Sequence, residues 1–371
     1  MNFEISDELR AVQDSLARLL ADHYTARHRQ ALAAAPAAYA EQAWKEMAGL
    51  GLTGLQVPEE FGGFGTRATD LLPVLHELGG ALAPVPFLSS CVLGAAALRA
   101  AGDEKLQREL LPGVAAGTLQ VACAPVQAGE TAGVRAQGGA GHWRLQGVQA
   151  HLPYAASADW LVLPARVGGA SDSALFLLEA RSPGVRLRAH RLIDGTPAAD
   201  VQLEGATAAP LCAPGSAEAK AAIDAVIAAG IAAACAEMVG AMEAAFRLTV
   251  DYLKTRKQFG RLIGENQALR HRAAETLAGL EMARSLSIAA AVAVGRGGFG
   301  DPEAKADLHR AKFLVARNAR SVCQAAIQLH GGIGMTEEYA VGHYLRRVHV
   351  LDHWFGDSGS HVEQLAELAA D

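Results

Sequence analysis

The chain has 371 residues, of which 51% are hydrophobic although only 5% are aromatic. This length exceeds what one hydrophobic core usually holds, so two or three domains are expected. The formal net charge of −6 argues against nucleic acid as a partner. The longest apolar stretch, residues 219–239, is interrupted by Lys220, Asp224 and Glu237, so no membrane span is predicted. The N-terminus does not resemble a secretory signal, and we expect a cytoplasmic protein without a membrane partner.

Helical patterns dominate residues 1–118, which are predicted to form an N-terminal helical domain. Ser6 is typical of a helix start, and apolar residues follow it at three-to-four spacing. A loop is predicted at residues 58–65, and further helices are predicted at 69–82, 92–101 and 103–111.

The pattern changes in residues 119–211, where apolar stretches are short and flanked by Gly, Pro, Asp and Ser. Such stretches are typical of strands. They lie at residues 119–124, 143–148, 160–164 and 174–178. We predict a middle domain built as an antiparallel β-barrel, followed by a linker at residues 207–216.

Long helices return in residues 217–371. The third of them begins well, with Asp301 as N-cap and Pro302 at the first helical position, and Gly331 ends it. The four predicted helices cover residues 219–255, 266–294, 301–330 and 336 to about 356. Short connections between long helices predict a four-helix bundle. The fold class is therefore α+β and mostly α.

Two motifs in this last region indicate a dinucleotide ligand. Residues 256–260 read Arg-Lys-Gln-Phe-Gly, and residues 328–336 read Gln-Leu-His-Gly-Gly-Ile-Gly-Met-Thr. A Gly-Gly-x-Gly run lets backbone approach a ligand closely. The guanidinium of Arg256 suits a pyrophosphate, and an exposed Phe259 can stack on an adenine. Five widely spaced cysteines form no CxxC pair and are predicted to be reduced and buried.

These motifs, the order of domains and the Pro-Glu-Glu-Phe-Gly-Gly-Phe-Gly segment at 58–65 resemble the acyl-CoA dehydrogenase superfamily. Residues 335–344 and 355–357 are most similar to the small subunit of pimeloyl-CoA dehydrogenase, and also resemble partner subunits of bacterial steroid side-chain dehydrogenases. The resemblance implies an FAD-dependent flavoprotein oxidoreductase of acyl-CoA catabolism that desaturates an acyl-CoA thioester. It also implies a homo-oligomer or a hetero-oligomer with a second acyl-CoA dehydrogenase subunit, and an electron-transfer flavoprotein as electron acceptor.

The resemblance assigns FAD-binding roles to residues of both motifs. Arg256 would contact the pyrophosphate, and the other residues would surround the adenosine end of the cofactor. In this family such residues reach the flavin of a neighbouring subunit. The implied cofactor-binding set is Arg256, Gln258, Phe259, Gln267, Gln328, Gly331 and Gly332.

The chain departs from the family pattern at the catalytic base. One family glutamate position falls on Phe355, which cannot accept a proton, and the other falls near Gly230 on the first bundle helix. The segments that face the flavin ring in the family correspond to residues 124–131 and 151–155. In the second of these, Pro153 replaces a threonine that would hydrogen-bond the ring.

Three explanations of these departures remain open. The chain is a non-catalytic subunit that completes a partner's FAD site, in a dehydrogenase for a dicarboxylic or bulky acyl-CoA. Alternatively, it is catalytic and Asp357 acts as the base, with a pKa raised by burial; the other role for Asp357 is to cap a final helix near Ser358. The third alternative is a flavin-binding or structural paralogue without dehydrogenase turnover.

Two further features are interpreted as structural. His349 and His353 have the spacing of metal ligands on a helix, but no third ligand is evident, so no metal site is predicted. Arg346 and Arg347 are neighbours on the same predicted helix, and we expect them to contact solvent or another subunit.

Overall fold

The computed structural model describes residues 6–24, 28, 31–32, 34–35, 39–126, 133–139, 142–168 and 173–370. Helices lie at both ends of the chain and a β region lies between them, in the order that the sequence predicts. The domain boundaries drawn from the sequence stay a prediction.

The N-terminal region is helical. Helix α1 (Asp7–His23) begins after Ser6, whose side chain accepts a hydrogen bond from the backbone N of Leu9 at 3.3 Å. The predicted helix at 92–101 begins earlier, as a π-helix at Phe87–Gly94. Further helices among the described residues are α2 (Glu41–Gly49), α3 (Leu72–Ala81), α4 (Ala95–Arg99) and α5 (Glu104–Ala115), with 3-10 turns at Leu52–Gly54, Glu59–Phe61 and Ala68–Leu71.

The described residues of the middle region form seven strands in one sheet. They are β1 (Val121–Cys123), β2 (Val134–Gly139), β3 (His142–Pro153), β4 (Trp160–Val167), β5 (Ser173–Glu179), β6 (Val185–Arg191) and β7 (Pro197–Pro210). The pairings β2–β3, β3–β7, β7–β5, β5–β4 and β4–β2 form a closed circuit.

Two details of this sheet correct the sequence prediction. Both β1 and β2 pair with β4 in parallel, so the sheet is mixed rather than wholly antiparallel. Strand β3 carries the chain back before β4 enters, which allows β4 to run in the same direction as β2. Strand β7 also extends to Pro210, so the first residues of the predicted linker are paired with β3 and β5.

The C-terminal region contains the four predicted long helices and a fifth. They are α6 (Ala217–Thr255), α7 (Gln267–Gly295), α8 (Pro302–His330), α9 (Val341–His353) and α10 (Ser358–Ala370). Asp301 caps α8 by accepting a hydrogen bond from Ala304 N at 2.7 Å, as predicted. The fourth helix was predicted to begin at residue 336 but begins at Val341. Thr336 ends the Gly331–Met335 3-10 turn instead, and its hydroxyl donates to the Ile333 carbonyl at 2.9 Å.

Two glycines allow the N-terminal region to contact the bundle at very short range. Helix α3 crosses α6, and a Cβ on Gly79 would lie 2.1 Å from the carbonyl oxygen of Glu237. A Cβ on Gly240 would lie 2.0 Å from the carbonyl oxygen of His76. Since only glycine leaves room for such an approach, the two helices touch through their backbones and Glu237 lies at the crossing.

Helices α6 and α7 are both long and apolar enough to cross a membrane, judged by length and composition alone. The apolar window of α6 is 89% buried inside the fold, as a core helix would be, whereas that of α7 is only 33% buried. On α7, Leu277 and Met282 are 42% and 56% exposed. The accessible face of α7 is therefore available for contact with another chain. The five cysteines are free and buried, as predicted: Cys91, Cys123, Cys212, Cys235 and Cys323.

Candidate functional site

The two sequence motifs lie at the same end of the helical bundle. Tyr252, in the last turn of α6, stacks on His330, in the last turn of α8, with ring centroids 4.6 Å apart. The His330 Nε2 also lies 3.2 Å from the hydroxyl of Tyr339. Arg256 follows Tyr252 by one turn, and its backbone N donates to the Tyr252 carbonyl at 2.8 Å. The aromatic stack thus brings the segment after α6 close to the glycine turn after α8.

The first motif forms a hairpin that the sequence analysis did not predict. Strands β8 (Lys257–Gln258) and β9 (Arg261–Leu262) pair antiparallel around a two-residue turn, Phe259–Gly260. Both turn residues have positive φ, 51° and 80°, as in a type I′ turn. This backbone conformation is strained for a bulky residue. It holds the Phe259 ring fully in solvent at the tip of the hairpin, where this chain leaves the ring uncovered.

The glycine turn after α8 is also open. Gly331 has a φ of 67° and ends the helix through a hydrogen bond from its N to the Gln328 carbonyl, as predicted. Within the part of the chain that the structure describes, nothing lies within 4 Å of a Cβ built on Gly331 or Gly332. We call the seven predicted cofactor-binding residues the nucleotide arm, and all seven are solvent-exposed: Arg256, Gln258, Phe259, Gln267, Gln328, Gly331 and Gly332.

The predicted flavin-ring segments are residues 124–131 and 151–155; residues 127–131 lie outside the described part of the chain, and described residues of both segments line one small cavity. Pro125, Pro153 and Tyr154 from the middle region face Glu237 of α6 and the end of α9. The cavity among them has a volume of about 10 Å³. This is scarcely the space that a single water molecule requires. We call this space the ring chamber.

The two positions at which the family carries its catalytic glutamate lie against each other. The Phe355 side chain is 2% exposed and has a φ of 65°. Its ring packs directly on Gly230, where a Cβ would lie 2.3 to 2.7 Å from three ring carbons. One candidate base position is therefore filled by an apolar ring and the other by the glycine that accommodates the ring.

A buried ionic network closes the ring chamber on its other side. Arg347 of α9 donates through Nε to Glu237 of α6 at 2.7 Å, and through Nη1 to Asp194 and Thr196 at 2.8 and 3.0 Å. Asp194 and Thr196 belong to the connection between β6 and β7. The guanidinium carbon also lies 5.2 Å from the centre of the Trp354 ring. One arginine thus ties two bundle helices to the middle region.

The electrostatics of this network favour a tightly held arginine. The side chain of Arg347 is 12% exposed, that of Glu237 is 6% exposed and that of Asp194 is 1% exposed. Burial alone would lower the pKa of Arg347, but the two carboxylates raise it above its ordinary value. Burial raises the pKa of Glu237, and the guanidinium opposes this shift.

The position of Arg347 corrects the expectation that it contacts solvent or another subunit. Arg346, its neighbour, does pair with Glu337 on the surface at 2.8 Å. A helix turns by about 100° per residue, so adjacent side chains face different surroundings. A signal in the sequence was Glu237, the single carboxylate in the apolar stretch between Asp224 and Glu243, which a buried cation must balance.

The loop that carries Phe355 is held from behind by a buried lysine. The Lys312 Nζ on α8 donates to the carbonyls of Asp352 and Gly356, both at 2.7 Å. Burial lowers the pKa of Lys312 to about 8. The Asp352 carboxylate in turn accepts a hydrogen bond from the Ser358 hydroxyl at 2.8 Å. These contacts fix the backbone on both sides of Phe355, so the ring cannot readily leave Gly230.

Asp357 has the geometry of a helix cap. Its carboxylate is exposed and accepts a hydrogen bond from the backbone N of Ser360 at 2.8 Å, at the start of α10. The hydrogen bond from Ser360 lowers its pKa below the ordinary value, whereas a base working near neutral pH needs a raised one. The geometry favours the capping role, and catalysis by Asp357 stays a prediction.

The two histidines at metal-ligand spacing on α9 are joined within the helix, because the His353 Nδ1 donates to the backbone carbonyl of His349 at 2.8 Å.

Residues 6–118 match the family model "Acyl-CoA dehydrogenase, N-terminal domain", and residues 221–369 match "Acyl-CoA dehydrogenase, C-terminal domain". Acyl-CoA dehydrogenase IpdE2 of Mycobacterium tuberculosis is 29% identical over 92% of this chain and 91% of its own length.

Two solved structures have a similar fold over their whole length. One is a variant of the Tcur3481-Tcur3483 steroid ACAD, with a TM-score of 0.87 and 27% identity over 99% of both chains. The other is the ChsE4-ChsE5 complex from Mycobacterium tuberculosis, with a TM-score of 0.88 and 25% identity over 100% of this chain and 99% of that one. The chain therefore belongs to the acyl-CoA dehydrogenase superfamily of FAD-dependent oxidoreductases.

Proposed function

We propose that this chain is the non-catalytic subunit of a heteromeric FAD-dependent acyl-CoA dehydrogenase. The observation that carries the proposal is the Phe355 ring packed on Gly230, because it occupies both positions at which the family places a base. The ring chamber beside it is too small for a flavin ring or an acyl chain. The nucleotide arm, by contrast, is open and correctly composed for the phosphate and adenosine end of FAD.

The fit to FAD therefore differs between the two halves of the site. Arg256 would pair with the pyrophosphate, and Phe259 would stack on the adenine, while Gly331 and Gly332 allow close backbone approach. When bound, FAD accepts the hydride that leaves the β-carbon of the acyl group. In our proposal the flavin ring and the base belong to the partner subunit, and this chain grips the nucleotide and excludes water from it.

The partner is proposed to be a second acyl-CoA dehydrogenase chain with an intact catalytic glutamate. The similarity to the ChsE4-ChsE5 complex supports a hetero-oligomer, and the similarity to a steroid dehydrogenase supports a bulky acyl-CoA substrate. A dicarboxylic acyl-CoA, as in pimeloyl-CoA dehydrogenase, is the other substrate class we consider. We further propose an electron-transfer flavoprotein as the acceptor and a cytoplasmic location.

The proposal is tested by flavin content. The chain is purified alone, and also co-expressed with a dehydrogenase chain encoded by a neighbouring gene. We expect the isolated chain to carry no FAD absorbance, and the co-purified pair to carry FAD that acyl-CoA bleaches. Stoichiometric FAD in the isolated chain, bleached by acyl-CoA, would show that the chain is itself catalytic. FAD in neither preparation, although the two chains co-purify, would favour a structural paralogue.

Arg256→Ala tests the nucleotide arm within the pair. Loss of a charge-assisted contact to pyrophosphate should weaken FAD binding by roughly 2–3 kcal/mol. The matched control is Arg186→Ala, which removes an exposed arginine that pairs with Glu204 on the middle sheet. FAD dissociation constants are compared after the cofactor has been removed and titrated back. Equal affinity in both variants would exclude Arg256 from the site.

Asp357 variants separate the capping role from the catalytic one. Asn is as good an N-cap as Asp, so Asp357→Asn should keep both stability and turnover of the pair. Asp357→Ala should lose about 1 kcal/mol of stability through the cap while turnover is retained. If Asp357→Asn abolishes flavin bleaching without unfolding the protein, the catalytic alternative is correct and our proposal is wrong.

A further inference from the structure

Three polar side chains converge on the outer surface of the middle sheet. His151 lies on β3, His190 on β6 and Asp200 on β7, the strand between them. The His151 Nδ1 is 3.0 Å from the His190 Nε2 and 3.8 Å from the Asp200 Oδ1. One ligand-type atom from each residue lies within 4.8 Å of the other two. His151 and His190 are 39 positions apart in the chain, and His190 and Asp200 are 10 positions apart, so only the folded sheet brings the three together.

The backbone directs His151 towards the other two residues. The pairing of β3 with β7 shifts register between Gln149 and Leu152, which marks a bulge. His151 lies in this bulge with a φ of 54°, and its backbone N donates to the Asp200 Oδ1 at 3.1 Å. Bulges commonly re-aim a side chain. In regular pairing, His151 would not meet the carboxylate of the neighbouring strand through its backbone.

The hydrogen bonds around the cluster set the protonation of His190. Its Nδ1 lies 3.2 Å from the Arg188 carbonyl, which can only accept, so the proton is on Nδ1. The Nε2 therefore accepts the hydrogen bond from the His151 Nδ1, and its lone pair becomes available to a cation once the His151 proton moves to the other ring nitrogen. An imidazole whose second nitrogen donates to a backbone carbonyl is the usual arrangement of a metal-ligating histidine.

The Asp200 carboxylate is also oriented as a metal ligand would be. Its side chain is 13% exposed, and its Oδ2 accepts a hydrogen bond from Arg188 at 2.8 Å. The Oδ1 faces the two imidazoles. The 68% exposed ring of His151 can carry its own proton on Nε2, in contact with water, and so free its Nδ1.

We propose that His151 Nδ1, His190 Nε2 and Asp200 Oδ1 form a binding site for Zn²⁺. Bond lengths of 2.0–2.2 Å in a tetrahedral site place ligand atoms about 3.3–3.6 Å apart. The His151 Nδ1 is 3.0 and 3.8 Å from its two neighbours and the three ligand atoms lie within 4.8 Å of one another, so the side chains must draw together as the ion binds. Two imidazoles and one carboxylate suit a borderline divalent ion better than Mg²⁺ or Ca²⁺. Three protein ligands leave the fourth coordination position open to water.

The simpler interpretation is a hydrogen-bonded histidine pair beside an Arg188–Asp200 ion pair. The two interpretations predict different changes in Zn²⁺ affinity when the charge of Arg188 is removed. Arg188 is 79% exposed and places a positive charge beside the carboxylate, which opposes a bound cation. Arg188→Gln keeps a hydrogen-bond donor to Asp200 but removes the charge, so Zn²⁺ affinity should rise several-fold. A cluster without metal function predicts no such change.

The test titrates the purified full chain, freed of metals by a chelator, with Zn²⁺ against a chromogenic competitor. We expect one site per chain whose affinity falls at least about tenfold in His151→Asn, His190→Ala and Asp200→Asn. Asn is chosen at 151 because it tolerates a positive φ. Co²⁺ at the site should give the intense visible absorption of four-coordinate cobalt.

The matched control is the double variant His349→Ala/His353→Ala, which removes a pair of histidines at metal-ligand spacing on α9. Zn²⁺ affinity in this variant should equal that of the wild type. Binding that is unchanged in the three cluster variants, or that disappears in the α9 control, would overturn the proposal. Neither result bears on the FAD experiments, because the cluster and the nucleotide arm are on different domains.

Discussion

Gly230→Ala tests the packing of the Phe355 ring on Gly230. In a helix interior this change by itself stabilises a protein by about 0.8–1 kcal/mol, because alanine has the better helix propensity. Here the new Cβ would lie 2.3 Å from a carbon of the Phe355 ring. The ring is 2% exposed, and Lys312 holds the backbone next to it, so the clash cannot be relieved cheaply. Overpacking of this kind costs about 1–3 kcal/mol. We expect the two effects to leave a net loss of up to about 2 kcal/mol.

Phe355→Leu is the second single variant of a double-mutant cycle with Gly230→Ala. Leucine is smaller than phenylalanine, so this variant alone should lose about 1–2 kcal/mol by leaving a cavity beside Gly230. In the double variant the alanine methyl occupies part of that cavity, and a favourable coupling of about 1–2 kcal/mol is expected. Urea unfolding, followed by tryptophan fluorescence and circular dichroism, measures the four free energies. Strict additivity, or a Gly230→Ala protein more stable than the wild type, would refute the contact and with it the observation on which the proposed non-catalytic role rests.

Three further variants test the buried polar groups. Arg347→Met leaves two buried carboxylates unpaired and should cost about 3–5 kcal/mol of unfolding free energy, whereas a loss below about 1 kcal/mol would contradict the network. Burial lowers the pKa of Lys312 from 10.5 in the unfolded chain to about 8 in the folded chain. Between pH 8 and 10.5 the unfolded chain therefore binds more protons at Lys312 than the folded chain does, so the contribution of Lys312 to stability rises with pH. The stability of the wild type relative to Lys312→Met should therefore increase from pH 8 to 10, and a flat difference would exclude burial of the charge. Burial also lowers the pKa of His309 to about 4 and of His361 to about 3, so stability present above pH 6.5 is lost as the pH falls. In His361→Asn the slope of unfolding free energy between pH 6 and pH 4 should shrink by up to about 1.4 kcal/mol per pH unit, and an unchanged slope would contradict this assignment.

Local patterns in the sequence were sufficient for the order of the elements, and the nucleotide arm stays a prediction from them. Caps and helix stops depend on residues adjacent in the chain, so Ser6, Asp301 and Gly331 were identified correctly. The four long helices follow from unbroken apolar periodicity over many turns. The motif at 256–260 could be assigned a ligand type, although its hairpin was missed because each strand has only two residues.

Tertiary structure alone decided what the sites contain. Which strands are parallel depends on where β4 enters the sheet, and no local pattern records that. Phe355 and Gly230 are 125 residues apart, and Arg347 lies 110 residues from Glu237. The resemblance assigned the two base positions to Phe355 and to the neighbourhood of Gly230, but it did not show that the Phe355 ring packs on Gly230. Packing and charge balance are properties of neighbours in space, so the closed chamber and the His151–His190–Asp200 cluster became visible only in the folded chain.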